Sequence, residues 1–120
     1  MRLSDIIKKL GLEVRAGGEW LDAEISGGYV SDLLSDVLAN SRQNDLWVTL
    51  QLHPNIVAVA SMKRVAAIVI INGREPAAET AAKANEEKIP ILVTRLSAFD
   101  LVGRLYAMGI TGAGIGADGA

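Results

Sequence analysis

From residue 46 onward the chain repeats one unit three times: a short, largely apolar run followed by a helix-forming stretch. The runs are LWVTL (46–50), AAIVII (66–71) and PILVT (90–94). AAIVII has no polar alternation, so it fits a strand buried on both faces rather than one with a wet side. Between and after the runs stand PNIVAVASMKRV (54–65), PAAETAAKANEEK (76–88) and SAFDLVGRLYAMG (97–109). Two of these open on proline; the third is capped by Ser97 and stopped by Gly109, and Glu79, Lys83, Glu86 and Glu87 mark the wet face of the second. Consecutive strand–helix units on short links predict a parallel sheet with right-handed crossovers and helices over both faces. The fold class is therefore α/β, a three-layer type of parallel-sheet domain, with Val48, Leu50, Ile68, Ile70, Ile91 and Val93 in the sheet core.

The first third is less regular. Ser4 is a candidate cap for a short helix with Ile6, Ile7 and Leu10 on one face, ended by Gly11 in the left-handed position. Residues 12–30 read as short extended pieces broken by the glycine pairs 17/18 and 27/28. Ser31 then stands as a cap for DLLSDVLANS, in which Leu33 with Val37 and Leu34 with Leu38 are spaced for an inner face while Asp32 and Asp36 point outward. The double glycine in SGGYVSD, ahead of a helix, raises the question of a phosphate cradle. A nucleotide loop of that kind also needs the lysine and hydroxyl of G-x-x-x-x-G-K-[ST], and both are missing. The remaining readings are a glycine turn from strand into helix, or a close approach of a partner subunit.

Several functions are disfavoured by what the sequence lacks. The 120 residues, 50% of them hydrophobic, suit one domain, taken as residues 1–110 with a flexible Gly/Ala-rich tail at 111–120. The tail's alternating glycines follow a helix instead of a strand, so they do not make a dinucleotide fingerprint. A formal net charge of −2, with at most two adjacent basic residues, gives no footprint for nucleic acid or an anionic membrane. The five aromatics, Trp20, Tyr29, Trp47, Phe99 and Tyr106, are too scattered for base stacking. Without cysteine, and with His53 as the one histidine, no thiolate chemistry or metal cluster is expected and no cofactor is called for. The start of the chain lacks the apolar run of a signal peptide, and no stretch is long and apolar enough to span a bilayer, which makes a cytoplasmic location the default.

The candidate site lies where the three units end their strands. In open α/β sheets ligands bind in the crevice outside the carboxyl ends of the strands, where helix N-termini favour anions. His53 follows the first run; it is either a loop histidine capping the next helix or, less in keeping with its neighbours Gln51 and Asn55, a general base. After the second run comes NGREP: Asn72 and Gly73 tolerate positive φ, Glu75 suits a helix dipole, and Arg74 is either a surface cation or part of a pocket. After the third come Thr94, Arg95 and Ser97. Together His53, Asn72, Gly73, Arg74, Thr94, Arg95 and Ser97 outline a weak pocket for a small anion or nucleotide.

The strings GGYVSDLLSDVLAN (27–40), HPNIVAVA (53–60), INGREP (71–76) and IPILVTRLSAFDLVGRLYAMGI (89–110) resemble the DRTGG domain family, and they cover most of the chain. The chain looks like a divergent, stand-alone member. The resemblance implies a regulatory piece of the kind found beside nucleotide-sensing CBS pairs and in phosphotransacetylases, and more distantly the N-terminal domain of HPr kinase/phosphorylase. The chain departs from the family's name-giving residues: Ile71, Asn72 and Gly73 stand where the family often has Thr-Gly-Gly, and no Asp-Arg pair stands near His53 and Pro54. Three readings follow. The first is a non-catalytic regulatory or ligand-sensing module; the second is an enzyme related to the serine kinases, for which no phosphate loop, metal cluster or nucleophile–base pair is found. The third is a structural partner-binding domain of a larger redox or signalling assembly. The leucine-rich stretch after the glycines also predicts a homodimer through Gly27, Gly28, Tyr29, Leu33 and Val37.

Overall fold

In the computed structural model, which describes residues 1–112, the three apolar runs are adjacent parallel strands. The elements in chain order are α1 (Leu3–Leu10), β1 (Glu13–Ala16), β2 (Gly27–Val30), α2 (Leu34–Asn40), β3 (Asp45–Thr49), α3 (Asn55–Lys63), β4 (Ala67–Ile70), α4 (Ala78–Glu87), β5 (Ile91–Val93) and α5 (Ala98–Ala107). They build one five-stranded sheet in the order β1-β5-β4-β3-β2. Strands β2 to β5 run parallel, with Trp47 opposite Ile68 and Val69 opposite Leu92. The sheet is mixed, not wholly parallel, because β1 pairs antiparallel with β5, Glu13 opposite Val93.

The pleat sorts the apolar residues onto two faces, since successive side chains of a strand point opposite ways. Leu46, Val48, Ala67, Val69 and Leu92 meet Leu3 and Ile6 of α1 and Leu101 and Leu105 of α5. Trp47, Ile68, Ile70, Ile91 and Val93 meet Val37 of α2, Ile56, Val57 and Ala60 of α3, and Ala84 of α4. Helices on both faces are the reason β3, β4 and β5 are buried along their whole length. Of the six expected sheet residues, five are buried; Leu50, one position beyond β3, is only half-buried against the α1/α5 layer.

Several boundaries shift for local reasons. Ser4 does not cap α1: the helix begins at Leu3, and the Asp5 carboxylate accepts from the Arg2 backbone N–H at 3.2 Å. Gly11 does end it, left-handed at φ 65°. Ser31 does not cap α2 either, because its Oγ accepts from the Leu33 N–H at 3.2 Å in a serine turn, and the helix starts at Leu34. Pro76 stands two residues ahead of α4. The Ala77 N–H and the Thr80 hydroxyl both donate to the Leu52 carbonyl, which holds the leading segment extended against the end of β3.

The glycine pair Gly27/Gly28 lies inside strand β2, beside Asp45 and Leu46, and is neither a turn nor a cradle. What approaches closely there is the segment after α5: the Gly28 N–H donates to the Thr111 carbonyl at 3.1 Å, and a Cβ on Gly27 would come within 2.8 Å of that oxygen. Thr111, placed by the sequence in the tail, thus packs on the domain, and the rest of that expectation, residues 113–120, lies outside the described residues. Gly17 meets the tightest restriction. Its φ is +69° and a Cβ would lie 2.6 Å from Pro90 Cα, so a side chain is excluded twice over.

Candidate functional site

The parallel strands β2 to β5 bring their carboxyl ends to one edge of the sheet, and the antiparallel β1 adds its amino end, Glu13, to the same edge. Beyond β5 a cavity of about 570 Å³ opens between this edge strand and the β4–α4 turn. That is within the size range of small-molecule sites. Its wall is formed by Gly11, Glu13, Arg15, Gly73, Glu75, Val93, Thr94, Arg95 and Leu96.

Three of the seven expected site residues meet there: Gly73, Thr94 and Arg95. Asn72 and Gly73 take positive φ of 62° and 70°, and the turn is tied to the next loop by Asn72 N–H to Leu96 O at 3.0 Å and Gly73 N–H to Thr94 O at 2.9 Å. Those amides are therefore engaged by the chain itself, and the polar character of the cavity comes from its side chains. Thr94 Oγ1 accepts from the Leu96 N–H at 3.2 Å, which fixes the start of the loop carrying Arg95. Arg95 is exposed, and among the described residues it has no ion-pair partner.

The other four lie outside the cavity lining. His53 stands just before α3, its Nδ1 accepting from the Asn55 N–H at 3.1 Å. Arg74 turns toward β3 and donates from Nη1 to the Leu50 carbonyl at 2.8 Å, while Ser97 caps α5 by accepting from the Asp100 N–H at 3.2 Å. Asn72 contributes the turn, as above.

Three charged wall residues, Arg15, Glu13 and Glu75, were not anticipated as part of the site from the sequence. Arg15 reaches from β1 to Glu75, with Nε to Oε1 at 2.6 Å and Nη2 to Oε2 at 3.1 Å, and its Nη2 also meets Glu13 Oε2 at 3.0 Å. A side-on pair of N–H groups matched to both oxygens of one carboxylate is the strongest geometry available to such a pair. Glu75 thus serves the edge strand rather than a helix dipole, and its carboxyl is held below the usual range by the hydrogen bonds from Arg15. The alternation in Glu13-Val14-Arg15 places the two charged residues on one side of a strand, and that much is visible in the sequence. Their meeting with Glu75 is not, because it depends on β1 pairing antiparallel with β5.

The other end of the same edge is filled by the chain. Asp32 Oδ1 accepts from the Thr49 hydroxyl at 2.9 Å and from the Leu50 N–H at 2.7 Å, and Gln51 Nε2 donates to the Asp32 carbonyl at 2.9 Å. Asp32 therefore points into the end of β3, not outward. Of the residues expected at a dimer interface, Val37 is buried in the chain's own core and Gly27 is covered by Thr111, so neither offers surface to a second copy. Gly28 and Tyr29 are half-buried, and the Tyr29 hydroxyl donates to Asp36, 2.8 Å from each carboxylate oxygen. Leu33 is 64% exposed.

A second, apolar concavity of about 800 Å³ lies along α5, lined by Val30, Ala98, Phe99, Val102, Gly103 and Tyr106. Phe99 is 89% and Tyr106 64% exposed. No group of three or more metal-ligating side chains is found among the described residues, nor any helix long and apolar enough to cross a membrane.

Neither a protein-family model nor a curated protein matches the chain. Its fold is similar to that of a solved structure: the CBS and DRTGG domains of the regulatory region of Clostridium perfringens pyrophosphatase, complexed with the activator diadenosine tetraphosphate. The TM-score is 0.71 at 17% identity, over 91% of this chain and 47% of that one. The chain thus shares a mixed α/β fold with part of that structure, and spans about half of its length.

Proposed function

We propose that the chain is a non-catalytic, DRTGG-like regulatory module that senses a small anion or nucleotide in the cavity beside Arg95. The observation that carries this reading is the open cavity at the carboxyl end of β5, with an exposed guanidinium on its wall and without an ion-pair partner among the described residues. The fold likeness to a regulatory region solved with a nucleotide activator supports it. The test is thermal melting against a panel of AMP, ADP, ATP and diadenosine tetraphosphate. A ligand that binds only the native state raises stability by about 2.7 kcal/mol at one hundred times its Kd. A rise for at least one nucleotide, lost in Arg95→Ala, is the expected result; unchanged melting with all four at millimolar concentration overturns the assignment. Magnesium-dependent ATP hydrolysis above background overturns its non-catalytic part.

A cytoplasmic homodimer completes the proposal, with the contact moved to the apolar face of α5. Phe99, Val102, Gly103 and Tyr106 fall at helical spacing on that face, and a Cβ on Gly103 would meet nothing within 4 Å. A glycine between two aromatic side chains lets a second α5 approach closely across a two-fold axis. Light scattering of Phe99→Asp and Leu33→Asp separates the surfaces. Only the Phe99 variant is expected to become monomeric; loss of the dimer in Leu33→Asp alone returns the contact to the segment after Gly28, and a monomeric wild type ends the proposal.

A further inference from the structure

Arg15 faces the same cavity as Arg95, yet two carboxylates stand against it. Glu75 binds it through both oxygens and Glu13 through one. The cluster of Arg15, Glu13 and Glu75 has a formal charge of −1, and with Arg95 the four ionic groups on the cavity wall sum to zero. A cavity in that state attracts a single phosphoryl group at Arg95 but repels a second one beside Arg15. Glu75, unlike Glu13, lies outside the sheet: it precedes Pro76 in the extended segment between the β4 turn and α4, so its carboxylate can leave Arg15 without breaking a strand pairing. Without Glu75 the wall carries a net positive charge and two guanidinium groups.

We propose that Glu75 is a built-in competitor for a ligand with two adjacent phosphoryl groups, one seated at Arg95 and the other taking the place of the Glu75 carboxylate at Arg15. This rests on the cavity being an anion site, as proposed above. Entry of the second phosphoryl group frees the Glu75 side chain from β1, while Arg74 and Ala77 on either side keep their hydrogen bonds to the Leu50 and Leu52 carbonyls. The competition also sets selectivity. A monophosphate gains nothing from displacing Glu75, whereas a diphosphate exchanges one side-on ion pair for another of equal geometry and keeps its contact with Arg95.

Calorimetric titration with inorganic pyrophosphate and with orthophosphate tests this on the wild type, Glu75→Gln and Glu75→Gln/Arg15→Ala, each verified as folded by circular dichroism. Glu75→Gln is expected to bind pyrophosphate roughly tenfold more tightly than the wild type, and orthophosphate with a distinctly smaller gain. The double variant is expected to lose the gain. Equal pyrophosphate affinity in the wild type and Glu75→Gln overturns the competitor role while leaving the anion site in place, as does a gain that survives loss of Arg15. If neither protein binds pyrophosphate, the competitor role is overturned; if the nucleotide panel also leaves melting unchanged, the anion site falls with it.

Discussion

The two ends of the sheet's carboxyl edge have similar raw materials and opposite outcomes. Beyond β3, Asp32 folds back onto Thr49 and Leu50, Gln51 closes over it, and the Trp47 indole beneath donates to the Ser31 carbonyl at 2.9 Å. Beyond β5 the charged groups pair with one another around a cavity and leave the ends of the strands open. A carboxylate used on backbone amides removes an anion site; one used on a guanidinium occupies it reversibly. The same crevice is thus closed by the chain at one end and open at the other, and the two ends should respond differently to substitution.

The largest effect is expected at the closed end. Trp47 is fully buried, and Trp47→Ala should cost about 3–5 kcal/mol in urea unfolding. Asp32→Ala leaves the Leu50 N–H and the Thr49 hydroxyl without their acceptor, and a loss of about 1–2 kcal/mol is expected in the same measurement. At the open end, Arg95→Ala should alter stability by no more than about 0.5 kcal/mol, because the side chain is exposed and makes no ion pair among the described residues. A loss comparable to that of Asp32→Ala would erase the distinction between the two ends.

The smallest effect is one of titration. Arg15 holds the folded-state pKa of Glu75 below its ordinary 4.5. The stabilisation from the pair is therefore present above the unfolded carboxylate pKa and fades as pH falls through the depressed folded value. A carboxyl carbon-13 NMR titration should place the Glu75 midpoint below 4.5, and Arg15→Ala should move it upward. Glu13 and Arg95, the other charged groups on this wall, are kept in both proteins. An unmoved midpoint would mean that the pair does not persist in solution.

How much of this was legible in the sequence follows from where each strand finds its partner. β3, β4 and β5 are buried on both faces and joined by helices, so their apolar runs and punctuation announce them locally. β2 opens on two glycines, which are poor strand formers, and the signal they give is that of a turn. β1 is a four-residue edge strand with three exposed positions; its extended character is legible, but not the strand it pairs with. The site divides likewise. Gly73, Thr94 and Arg95 follow from the rule that ligands gather beyond the carboxyl ends of parallel strands. Arg15 and Glu13 do not, because one antiparallel pairing across nearly the whole chain brings them there. Glu75 was visible as a turn residue, but its partner was not.

That pairing also sets an order of events during synthesis. Among the described residues, the hydrogen-bonded neighbour of β1 in the sheet is β5, the last strand to leave the ribosome. β2, β3 and β4 pair in succession as they emerge, each closing a short loop, whereas β1 must wait for a loop that encloses almost everything between them, and contacts of such long sequence separation form slowly. The wall carrying Glu13 and Arg15 is accordingly the last part of the sheet to be completed. A chain interrupted before residue 91 would have a sheet edge at β4 open to other strands, and would lack the cavity beyond β5.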